Sequence, residues 1–140
     1  MGIDSGEDVL TPYKARIRRG ICPDGFSAQD ISISQATQAI SDYRQAVGDS
    51  AGIAELCVYF CESCAKLLGH CYVDDDDYYD ALVRAFEHAL TAMLKLEPEQ
   101  QAPLVERVLA LWGEAHHWGW GVVEDMDDLL TAFGFLKKQF

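Results

Sequence analysis

Apolar residues recur along this chain at steps of three and four, the period of an amphipathic helix, almost from end to end. Ile33, Ala36, Ile40, Tyr43 and Val47 form one such stripe. Tyr79, Leu82, Phe86, Ala89, Met93 and Leu96 form another. Leu104, Val108, Leu111 and Ala115 form a third, and Met126, Leu129, Leu130 and Phe133 a fourth. No internal repeat is present.

Local signals divide this pattern into elements. Thr11 as N-cap, Pro12 at the first helical position and Gly20 as a stop predict a short N-terminal helix. The segment ICPDGF follows as a turn set by Pro23 and Gly25. Ser27 with Asp30 resembles a capping box for the next helix, which Gly48 ends. Asp49 and Ser50 cap a helix from about Ala51 to Tyr72. The acids after Val73 break it and cap another, from about Tyr78 to Leu96. Pro103 favours a helix start there over one at Pro98, because a proline inside the helix would break it. This predicts a helix from Pro103 to Trp118. A last helix runs from about Glu124 to Lys138. Short connections favour antiparallel neighbours. The predicted fold is therefore all-α: an antiparallel up-and-down bundle of four long helices plus a short N-terminal helix, in a single domain of residues 1–140.

The 51–72 helix differs from the others. Ile53, Cys57, Phe60, Cys64, Leu67 and Cys71 alternate at steps of four and three, a continuous seam of small and large residues. Cys61 lies in the adjacent apolar row with Ala54, Val58, Ala65 and Leu68. Glu55, Tyr59, Glu62, Lys66 and His70 form the polar row, with Glu62 and Lys66 at a favourable spacing. Such a helix is expected at the centre of the bundle.

Composition adds charge to this picture. The 140 residues carry 23 acids and 11 bases, a formal net charge of −12. Residues 1–26 hold a short basic helix, with Lys14, Arg16, Arg18 and Arg19, and its turn; residues 27–140 form an acidic bundle body. A chain of this balance repels phosphate backbones, so no nucleic-acid partner is expected. No apolar run approaches a membrane span, so no membrane partner is expected either. The opening MGIDSGEDVL does not read as a secretory signal. Five cysteines without such a signal imply free thiols in the cytoplasm.

Candidate chemistry is sparse. Free cysteine packs as a small hydrophobe, which accounts for the cysteine seam. The alternative is a soft-metal site for Cu(I) or Zn using Cys57, Cys61 and Cys64. Cys57 and Cys71 lie too far apart along a helix to share an ion, and neither His70 nor His88 supplies a convincing fourth ligand. Glu114 and His117 have the Glu-x-x-His spacing of di-iron bundles, but no second pair exists and both fall on a polar face. Asp74, Asp75, Asp76 and Asp77 lack the glycine and closing glutamate of a calcium loop. They read as N-terminal helix acids, as do Glu124 and Asp125. No nucleophile elbow, phosphate loop or zinc-protease motif occurs, and no cofactor is expected.

The segment HHWGWGVV places Trp118 and Trp120 around Gly119. A helix C-cap with indoles over the bundle end is one reading; an aromatic anchor for a partner is the other. The expected function is non-catalytic protein–protein binding, as an inhibitor, an immunity-type protein or an adaptor for a basic partner. Trp118, Trp120, Asp74, Asp75, Asp76, Asp77, Glu124 and Asp125 are the candidate contact residues.

Overall fold

The structure, a computed structural model, describes residues 5–21, 32–70 and 73–136, with side chains from Val9 onward. Six α-helices make up its regular structure, and no strand occurs among the described residues. They are α1 (Ser5–Ile21), α2 (Ile33–Ala46), α3 (Ser50–Leu68), α4 (Asp76–Met93), α5 (Pro98–Trp118) and α6 (Val123–Ala132). The expected 22–26 turn, the Ser27–Asp30 cap, Cys71, Tyr72 and Lys138 lie outside the described residues.

The first helix departs most from expectation. It spans 17 residues, so Thr11 and Pro12 are interior rather than at its start. A proline there removes one helical hydrogen bond. Burial compensates: Ile17 and Ile21 are fully buried in the common core. Gly20 is a point of close approach rather than a stop. Its carbonyl accepts from Ser32 N at 2.7 Å. A Cβ at Gly20 would stand 2.6 Å from Ser32 O.

Helix α2 turns Ala36, Ala39, Ile40 and Tyr43 inward. Val47, the expected end of that stripe, is 52% exposed because the helix has already closed. Val47 N and Gly48 N both donate to Tyr43 O, and Gly48 adopts φ +77°. That left-handed conformation favours glycine.

Helices α3 and α4 form the central pair, packed along each other. Helix α3 also meets α1, α2 and α5, and α4 also meets α2, α5 and α6. Eleven of the 19 residues of α3 are buried, the consequence of a helix apolar over most of its circumference. Phe60, Leu56 and Leu67 are fully buried. Each stabilises the fold by roughly 1.5–3 kcal/mol through burial. Asp49 caps α3 by accepting from Gly52 N at 3.0 Å, and Gly69 closes it, earlier than the expected Tyr72.

Helix α4 begins at Asp76, capped by Asp75, whose Oδ1 accepts from Asp77 N at 3.0 Å. Tyr78 and not Tyr79 is the fully buried tyrosine; its hydroxyl donates to Cys64 O at 3.1 Å. Helix α5 starts at Pro98, with Pro103 inside it. Its first turn is held by a capping box between Glu97 and Gln100, and Gln101 Nε2 donates to Met93 O at 2.8 Å. These contacts outweigh the bond lost at Pro103. All four expected core residues of α5, Leu104, Val108, Leu111 and Ala115, are buried. In α6, Met126 and Leu130 are buried, while Leu129 and Phe133 pack against the core from its edge.

Candidate functional site

The α5–α6 corner is shaped by one glycine. Gly119 adopts φ +69° and ends α5, as its position after the periodic stretch predicts. Trp120 N donates to Ala115 O at 3.0 Å, and Val123 N donates to Trp120 O at 3.1 Å. The reversal leaves Trp118 on the last turn of α5 with 57% of its surface exposed, while Trp120 is half-buried. Buried Val122 anchors the start of α6.

A second contact locks the corner. The Trp112 indole N–H and His116 Nε2 both meet Asp127 Oδ1 of α6, the latter at 3.1 Å. The Trp112 hydrogen bond, helped by His116, holds the Asp127 carboxyl below the usual aspartate range. His116 is exposed and meets Asp127 across the corner.

The first turns of α4 face this corner. Between them lies an open groove of about 840 Å³, lined by Trp118, Trp120, Tyr79 and Val83 and by the acids Asp76, Asp80 and Asp125. Four of the eight predicted contact residues thus meet in one place: Trp118, Trp120, Asp76 and Asp125. Asp74, Asp75, Asp77 and Glu124 are exposed but do not line the groove. Asp75 instead caps α4.

Tyr79 and Asp80 were not recognisable as groove residues from the sequence. Tyr79 falls on the apolar stripe but is only half-buried; its hydroxyl donates to Val73 O at 2.7 Å, which fixes the ring at the groove wall. Asp80 lies one turn after Asp76 and pairs with Arg84 at 3.4 Å on the exposed face. The four-residue spacing of Asp76 and Asp80 was the available signal.

The cysteines occupy a different environment. Cys57, Cys61 and Cys64 are buried free thiols. Cys61 Sγ lies 3.7 Å from Leu82 O across the α3–α4 contact. Burial pushes the Cys57 thiol up to about 12 and Cys61 well above its ordinary value. A soft-metal site needs thiolates, which this environment opposes. Among the described residues, no three His, Cys, Asp or Glu side chains are grouped to hold a metal ion.

A charge network joins α1, α3 and α5. Arg107 donates to Glu62 at 2.9 and 2.6 Å and to Glu55 at 2.7 Å. Lys14 pairs with Glu55 at 3.0 Å and lies 5.3 Å from the centre of the Tyr59 ring. Burial raises the Glu55 carboxyl, but Arg107 and Lys14 together bring it below the usual glutamate range. Glu55 and Arg107 of this network line a second cavity of about 530 Å³, between the start of α3 and the start of α5. Their charges are mutually satisfied, so the network reads as a clasp between helices.

No protein-family model, curated protein or solved structure matches this chain. Among the described residues, no helix is long and apolar enough to cross a membrane.

Proposed function

We propose that this protein is a non-catalytic binding module that engages a basic protein partner through the groove between α4 and the α5–α6 corner. An inhibitor, an immunity-type protein and an adaptor all fit that description. The observation that carries the reading is the exposed Trp118 beside Trp120 on a wall faced by Asp76, Asp80 and Asp125. Tryptophan is enriched at binding hot spots, and it supplies the short-range anchor that charge alone lacks. The acidic excess of the chain steers a cationic surface over about one Debye length, near 8 Å at physiological salt. The proposal places the protein in the cytoplasm, with its long helices in an antiparallel up-and-down bundle. Short links between α3 and α4 and between α4 and α5 support that arrangement.

The test compares a lysine- and arginine-rich helical peptide with its charge-reversed counterpart, by stopped-flow association. The basic peptide should bind, with an association rate that falls steeply as salt rises and a dissociation rate that changes little. Asp76→Lys with Asp80→Lys and Asp125→Lys should abolish that binding. Equal binding of both peptides, or binding indifferent to the triple charge reversal, would remove the proposal.

A further inference from the structure

The groove wall has a chemistry more specific than negative charge. Three aromatic side chains, Tyr79, Trp118 and Trp120, line the same cavity as three carboxylates, Asp76, Asp80 and Asp125. Aromatic faces attract a cation through the ring quadrupole, and the attraction strengthens as water is excluded. Carboxylates accept hydrogen bonds, and a planar guanidinium offers five donors in a fork that fits them.

Two alternatives use the groove less completely. A quaternary ammonium has no N–H donors and would leave the carboxylates unbonded. A lysine ammonium has donors but is compact and strongly hydrated, and it stacks poorly on indole faces. Arginine alone uses both parts of the wall: its plane stacks on the rings while its edge meets the acids. The groove, about 840 Å³ and open to solvent, admits a side chain presented by another protein.

We infer that the groove is an arginine receptor: the basic partner inserts an arginine side chain against Trp118 and Trp120, with its guanidinium held by Asp76 and Asp125 and by Asp80, which gives up its exposed pairing with Arg84. This rests on the groove being the partner-binding surface and narrows what the partner must carry.

The experiment titrates the full chain with four acetylated peptides of equal length, of arginine, lysine, citrulline and norleucine, following tryptophan fluorescence. Citrulline keeps the shape of arginine without its charge. The arginine peptide should bind several-fold to about tenfold tighter than the lysine peptide. The citrulline and norleucine peptides should bind far more weakly than either. Trp118→Ala, at an exposed position that the fold does not need, should erase the arginine preference and weaken binding of both cationic peptides. Equal affinity for arginine and lysine peptides in the unaltered protein would overturn the receptor while sparing the basic-partner reading. Tightest binding of norleucine would overturn the receptor in favour of an apolar occupant. Binding of no cationic peptide would overturn both.

Discussion

Arg107 grips Glu62 with two hydrogen bonds, at 2.9 and 2.6 Å, and so fastens α5 to the polar face of α3. The same guanidinium reaches Glu55, which Lys14 of α1 also holds. Three helices are thereby tied, with Glu55 of α3 the group that α1 and α5 share. Arg107→Ala should destabilise the protein by about 1–3 kcal/mol, less than a fully buried pair because the side chains keep some solvent contact. Arg107→Lys should recover only part of this, since a lysine cannot reproduce the fork. Urea denaturation of the three proteins measures the order.

The network also sets an acid limit. Glu55 is held below the ordinary glutamate range despite burial, and the Tyr43 hydroxyl, with the Gly52 amide, holds Asp49 below the aspartate range. A carboxyl whose value is depressed by folding stabilises the native state above its unfolded value. That contribution is lost as pH falls through the folded value. Stability should therefore be flat near neutrality and decline below about pH 4. The difference between the unaltered protein and Arg107→Ala should shrink as pH falls, because protonated Glu55 no longer needs its partner. Urea midpoints between neutral and acid pH give the comparison; a gap that widens on acidification would refute the assignment.

Gly52 makes room for Tyr43. A Cβ there would overlap the Tyr43 hydroxyl, which is itself hydrogen-bonded to Asp49. Gly52→Ala should cost about 1–3 kcal/mol, through displacement of the ring. The cost should nearly vanish in a Tyr43→Leu background, where the obstacle is gone. A double-mutant cycle by thermal unfolding checks this coupling.

Much of the helical pattern was legible in the sequence because burial repeats with the helical period. The stripe of α5 from Leu104 to Ala115 is buried throughout. The seam of α3 lies in the core from Cys57 to Leu67, with Ile53 at its edge. Gly48, Asp49 and Gly119 act as stop, cap and stop. What failed depended on contacts distant in sequence. Gly20 resembles a helix stop, and only the approach of Ser32 shows it as a packing glycine. Glu62 also accepts from Arg107, 45 residues away, a partner that spacing along one helix does not reveal. Tyr78 and Tyr79 are adjacent, and a shift of one residue decides which enters the core. Trp118 and Asp76 were each singled out, but only the fold brings them to one cavity.

The α3 cysteines should be silent thiols. Cys57, Cys61 and Cys64 are buried, and burial disfavours the reactive thiolate. Alkylation mapped by mass spectrometry should modify these three slowly in native protein and completely after denaturation. Cys64→Ala should be mild, whereas Cys64→Leu should overpack the α3 seam at a cost of about 1–3 kcal/mol. Rapid native labelling of Cys57 and Cys64 would contradict the packing role.

The most direct measurement of the binding account follows the three indole N–H signals in a nitrogen–proton correlation spectrum during titration with the arginine peptide. Trp118 and Trp120 line the groove, whereas the Trp112 N–H is engaged by Asp127 at the α5–α6 clasp. Single Trp→Phe variants assign the signals. The Trp118 and Trp120 signals should shift in proportion to saturation while that of Trp112 stays in place. Shifts confined to Trp112, or no shift at a peptide concentration that saturates binding, would contradict it.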